Sequence, residues 1–205
     1  MQLTLQQKLD KFHARPFSWS QFSSFRYDKK KWYDSYILDI KQSSVELTFG
    51  SWAGKRLETD PDFIPQVPRH NKMEMPFKVV FGDMTIVGYA DSFCTITNRK
   101  LLEYKTGVKK WDKKRVDEHG QLTMYALMNY ITNKIAPEDM EIQLVWLPTK
   151  KKVTGDFHEA IDFIEPIEKN LKIFKTKRTM TDIVKFGAEI KEVYREMEEY
   201  LQNTL

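Results

Sequence analysis

The chain has a single cysteine, Cys94, so it can form no internal disulfide and no cysteine-built metal site. A small buried thiol is the expected role of that residue. No long apolar run occurs, and the N-terminus lacks the apolar core of a signal peptide. A soluble, cytoplasmic protein with no membrane partner is the expectation. Neither charge sign dominates: 33 Lys and Arg face 29 Asp and Glu, a formal net charge of +4. That balance is compatible with a polyanionic partner without identifying one. What is present is apolar and aromatic material, 41% and 13% of 205 residues, enough for a core and too much for wholesale disorder. No internal repeat is visible, and the length suits one domain over residues 1–205, with a core at about 17–150 and C-terminal helices at about 155–205.

The most informative stretch is GYADSFCTITNRKLLEYKTG, residues 88–107. Residues 85–93 and 101–104 are rich in β-branched and aromatic types, and Thr97-Asn98-Arg99-Lys100 between them is turn-prone, which predicts a hairpin. Strand alternation puts Glu103 and Lys105 on one face and Leu102 and Tyr104 on the other, with Asp91 on the adjoining arm. Carboxylate oxygens are natural ligands of Mg²⁺ or Mn²⁺, and a lysine beside them can orient water or offset phosphate charge. A structural ion pair on a sheet surface satisfies the same spacing.

Along the rest of the chain, residues 1–11 suggest a short helix broken by Pro16, and Ser18 or Ser20 is a plausible cap for the next. Residues 60–75, with three prolines, read as an irregular loop whose Arg69, His70 and Lys72 could face a substrate. His70 has no partner at metal-ligand spacing. A strand then starts at Pro76, with Gly82-Asp83 as its turn. In residues 108–115 five of eight are cationic and Trp111 lies among them, a composition suited to single-stranded or frayed DNA. Lys109, Lys110, Trp111, Lys113, Lys114 and Arg115 are the candidate contacts, and Lys29, Lys30 and Lys31 form a second basic group that reads equally well as a solvated face. Residues 117–131 have helical spacing that puts Gln121 and Tyr125 on one face. Residues 141–147 read as a further strand, and strand–helix–strand order is an α/β signature. From Gly155 onward, Phe157, Ile161, Ile164, Ile167, Leu171 and Phe174 suggest a core-facing helix, and residues 183–201 an outer one.

Asp91, Glu103 and Lys105 in D-x(n)-E-x-K order resemble the core of the PD-(D/E)XK nuclease superfamily. GYAD followed by LLEYKTG is similar to its RecB-like branch, with Glu103 where Asp is more usual. Residues 17–33 resemble that branch's opening segment without its Cys-Pro pair, and the lack of further cysteines sets the chain apart from iron–sulfur relatives such as the CRISPR-associated four-cysteine nucleases. Residues 49–58 resemble its G-x-x-x-H-x-x-x-E helix: Gly50 and Glu58 match, but Gly54 occupies the histidine position. Gln121 and Tyr125 match its Q-x-x-x-Y.

The resemblance covers roughly residues 17–147. It implies a restriction-endonuclease-like mixed sheet flanked by helices, with helical N- and C-terminal segments. It also implies DNA cleavage with Mg²⁺ or Mn²⁺: Asp91 and Glu103, helped by Glu58, would hold the metal, Lys105 would position water, and Gln121 with Tyr125 would orient the assembly. An exonuclease of recombination, repair or phage DNA processing is favoured, acting in the host cytoplasm if phage-encoded. The alternatives are a structure-specific endonuclease, a non-catalytic nucleic-acid-binding protein keeping the fold and, more weakly, RNA cleavage. DNA is the expected partner, with a homo-oligomer or a recombination or replication protein also open.

Overall fold

Polar side chains close the first turns of the helices. In the computed structural model, which describes residues 3–40, 44–149 and 170–203, these are α1 (Leu5–Ala14), α2 (Trp19–Tyr27), α3 (Lys29–Tyr36), α4 (Val45–Thr59), α5 (Lys113–Asp117), α6 (Gly120–Asn133) and α7 (Met180–Asn203). The side chains of Thr4, Ser18, Asp28, Ser44, Asp112 and His119 each accept a backbone N–H from the turn that follows, satisfying a donor with no partner inside the helix. Thr4 and Gln7 form a reciprocal capping box.

The strands are β1 (Phe17–Ser18), β2 (Lys72–Phe81), β3 (Met84–Phe93), β4 (Lys100–Gly107), β5 (Glu141–Pro148) and β6 (Lys172–Thr176). They form one mixed sheet in the order β1-β3-β4-β5-β6, with β2 also paired to β3. The Gly82-Asp83 turn joins β2 and β3 as an antiparallel hairpin, and Gly82 takes φ +62°, which a residue without Cβ adopts freely. β4 and β5 run parallel, and the crossover between them carries α6. One sheet face packs Phe77, Ile86, Leu101, Ile142 and Leu144 against α6 and α7. The other packs Leu102, Tyr104, Val145 and Leu147 against Phe49 and Leu57 of α4. A mixed sheet between helical layers, with helices at both ends of the chain, is the architecture expected from the sequence. Among the described residues no helix is long and apolar enough to cross a membrane.

Several local expectations are corrected. Leu171 and Phe174 do not continue a helix: Lys172–Thr176 is a strand that covers the edge of β5. A short apolar run has no period long enough to separate helix from strand. Phe157, Ile161, Ile164 and Ile167 lie outside the described residues. The 183–201 segment is helical as expected but is not an outer helix, since Ile183, Phe186, Ile190, Val193, Met197 and Leu201 are all buried. β2 begins at Lys72 rather than Pro76. Arg69 is spent on structure: its guanidinium donates to the carbonyls of Leu57, Phe63 and Val67, holding the preceding loop closed. Cys94 is half-buried and not a core thiol; Thr97 donates to its sulfur across the β3–β4 turn.

Arg178, which is 3% exposed, ties the elements behind the sheet together. It donates to the side chains of Thr123 and Thr176 and to the carbonyls of Val116 and His119. Arg178→Met should destabilise the fold by about 3 kcal/mol, because those acceptors lose a charged donor in a buried setting. Urea denaturation of the two proteins at equal pH measures this.

Candidate active site

The site begins where two ladders stop. β3 and β4 pair only at Ser92–Leu102 and Phe93–Leu101, so the next position, Asp91 opposite Glu103, is open. Asp91 enters this gap and its Oδ2 accepts the Tyr104 backbone N–H at 2.6 Å. Glu103 is 2% exposed. Its Oε1 accepts from Lys105 Nζ at 2.6 Å, while its Oε2 is buried with no hydrogen-bond partner. Lys105 Nζ also donates to Gln121 Oε1 at 2.9 Å. Glu103 and Lys105 thus share the face toward α6, as alternation predicts, and Leu102 and Tyr104 face α4.

Burial, and next the charge of Glu103, push the Asp91 carboxyl well above the usual carboxylate range; the Tyr104 N–H and Lys105 offset only part of this. Two carboxylates at a ladder break, one with an orphaned buried oxygen, are short of positive charge. That donor set fits a hard divalent cation, which binds carboxylate oxygen and removes the like-charge penalty. Among the described residues no group of three His, Cys, Asp or Glu side chains is already disposed to hold a metal ion.

Gln121 is fixed from behind. Its Nε2 donates to Tyr125 Oη at 2.9 Å, and Tyr125 in turn donates to the Tyr89 carbonyl, so the amide oxygen is left for Lys105. Gly88 permits this approach, because a Cβ there would stand 3.1 Å from the Tyr125 ring.

No protein-family model matches the sequence, and no curated protein matches it. The fold does have solved counterparts. A crystal structure of a candidate exonuclease from Eubacterium rectale superposes with a TM-score of 0.55 at 12% identity, covering 98% of this chain and 88% of the other. The chain shares the fold of that structure. A second solved structure, SSO0001, superposes at a TM-score of 0.48 and 14% identity over 92% of this chain and 84% of that one, a level of likeness on which nothing rests.

Within this fold the other sequence candidates divide. Glu58 is held by Lys55 at 2.7 Å, on the α4 face that carries Gly54. A Cβ at Gly54 would meet nothing within 4 Å, so the position has room for a side chain. Lys109 and Arg115 line a cavity of about 470 Å³ with Lys105, Phe49, Val108 and Trp111, directly beside the site. Trp111 is no open stacking platform: it is 6% exposed, with Arg115 3.7 Å above its ring and His119 stacked on it at 5.1 Å. Lys110 is exposed, while Lys113 and Lys114 pair with Asp117 and Glu118 on the same stretch. Lys29 and Lys30 engage Glu196 and Asp34 rather than any residue of the site.

Two residues of this neighbourhood escape the sequence reading, Glu74 and His119. Counting back from the Gly82-Asp83 turn puts Glu74 level with Asp91, a signal hidden by treating residues 60–75 as loop. His119 caps α6, its Nδ1 accepting the Gln121 N–H at 3.2 Å. Burial first, then the charges of Lys105, Arg115 and Arg178, lower its value from 6.5 to about 3.

A depressed histidine has a pH consequence. The folded state holds it neutral while the unfolded chain takes up a proton below about 6.5, so this stability is present above pH 6.5 and is lost as pH falls toward 3. His119→Asn keeps a capping side chain and removes the titration. Urea midpoints measured from pH 7 to 4 should fall less steeply for the variant, by up to about 1.4 kcal/mol per pH unit, the limit for one proton.

Proposed function

We propose that the protein is a metal-dependent deoxyribonuclease and, more narrowly, an exonuclease that hydrolyses DNA phosphodiesters in recombination, repair or phage DNA processing. The observation that carries this reading is the buried Glu103 carboxylate, with one oxygen on Lys105 and the other unpartnered beside Asp91. Such an arrangement is costly as a structural ion pair and useful as a cation site. The fold shared with a candidate exonuclease supports it.

A cation held by Asp91 and Glu103 would polarise the phosphate and acidify a bound water. The chain's own residues do the rest. Lys105 has three N–H donors, two of them committed to Glu103 and Gln121, so the third would donate to a phosphate oxygen or the attacking water. The Gln121–Tyr125–Tyr89 chain keeps the lysine from swinging to solvent, a positioning role. Lys109 and Arg115 supply backbone-binding charge beside the site.

Gly54, where the resemblance expects histidine, favours a second reading as a non-catalytic nucleic-acid-binding protein. End-labelled linear DNA, a covalently closed circle and an RNA of the same sequence, each with Mn²⁺ or EDTA, separate the cases. Metal-dependent loss of linear DNA alone is the expected result. Nicking of the circle would make the enzyme an endonuclease, cleavage of RNA alone would overturn the DNA assignment, and binding in EDTA with no cleavage under Mn²⁺ would support the second reading.

A further inference from the structure

We propose that Glu74 is a further cation ligand of this site, supplied by β2 where the α4 helix offers glycine instead of histidine. The inference rests on the metal-dependent reading above and adds a residue to it.

Two features single out Glu74. The first is register: β2 and β3 pair at Met73–Ser92 and at Met75–Ala90, and the intervening level, Glu74 opposite Asp91, is left unpaired. Glu74, Asp91 and Glu103 therefore stand at one level across three adjacent strands, with the ladder broken on both sides of Asp91. The second is backbone conformation. Glu74 takes φ +48°, a left-handed state that a non-glycine residue avoids in a strand and that persists only where its surroundings impose it. Its effect is visible in the packing: Met75 lies against the main core and Met73 against the second one, although residues two apart on a regular strand share a face. The strand turns over at Glu74.

An acidic cluster alone would make no site. The second observation is the orphaned, buried Oε2 of Glu103, an acceptor with no donor at the same level of the sheet. With no three such side chains already disposed around a metal among the described residues, Glu74 must complete the set through a rotamer change on cation binding. The left-handed backbone fixes where that side chain starts from.

The test is Mn²⁺ titration by calorimetry without DNA, on wild type, Glu74→Gln, Glu74→Gly and Asp91→Asn. Wild type should bind, Asp91→Asn should show no resolvable binding, and Glu74→Gln should bind at least tenfold more weakly. Glu74→Gly relieves the left-handed backbone, so it should melt no lower than wild type without metal and still show a reduced Mn²⁺-induced rise in Tm. Wild-type affinity in Glu74→Gln, with binding lost in Asp91→Asn, would overturn the role of Glu74 and leave the nuclease reading standing. Absence of Mn²⁺ binding by wild type would overturn both.

Discussion

Lys105→Ala is expected to slow DNA cleavage about 10³-fold, close to 4 kcal/mol of transition-state stabilisation. Lys105 Nζ sits 2.6 Å from Glu103 and 2.9 Å from Gln121, so its charge is held in place before substrate arrives. A preorganised charge of this kind loses nothing to reorganisation during the reaction, and a solvated cation at the same distance would be worth far less. The variant also removes the only cation hydrogen-bonded to Glu103 among the described residues, so the metal-free fold should weaken by about 2–3 kcal/mol. The two effects can be separated. Single-turnover rates measured under conditions where both proteins are fully folded isolate the catalytic effect, and urea midpoints give the stability effect. Wild-type cleavage by fully folded Lys105→Ala would mean that Lys105 acts only through the fold.

Asp91→Asn is expected to abolish cleavage, a loss of 10³-fold or more, and yet to stabilise the metal-free protein. Burial and Glu103 hold the Asp91 carboxyl well above its ordinary value of 3.8. A carboxyl raised by folding contributes stability while protonated, below the ordinary value, and that contribution is lost as pH rises through the raised one. The raised carboxyl therefore leaves the apo fold weaker at neutral pH than in acid. The amide oxygen of asparagine can still accept the Tyr104 N–H. The variant should gain roughly 1–2 kcal/mol at pH 7, a rise in Tm of roughly 2–8 °C, and the gain should vanish near pH 3. Saturating Mn²⁺ should reverse the order by stabilising wild type alone.

Much of this site was legible in the linear sequence because strand alternation is a short-range rule. The sharing of one face by Glu103 and Lys105, the i, i+4 pair Gln121 and Tyr125, and the Gly82-Asp83 turn each depend on a few neighbouring residues, and all three occur as expected. Glu74 was not legible, because its place depends on register propagated eight residues back from a turn and on a left-handed backbone that composition does not encode. Trp111 was misread for a related reason. Its basic neighbours suggested a solvated stacking surface, but His119, eight residues on, and Arg115 cover the ring from the folded side. The strand Lys172–Thr176 exists because β5 needs a partner at its edge, a demand of the tertiary fold that a five-residue segment cannot announce.

The most direct test of the metal-dependent nuclease site is single-turnover cleavage of end-labelled linear DNA by wild type and Asp91→Asn, each with Mn²⁺ or with EDTA, with DNA binding measured on the same samples. The expected result is cleavage by wild type in Mn²⁺ only and none by the variant, with DNA binding retained in all four conditions. Cleavage by wild type in EDTA, or undiminished cleavage by Asp91→Asn, would contradict the site described here.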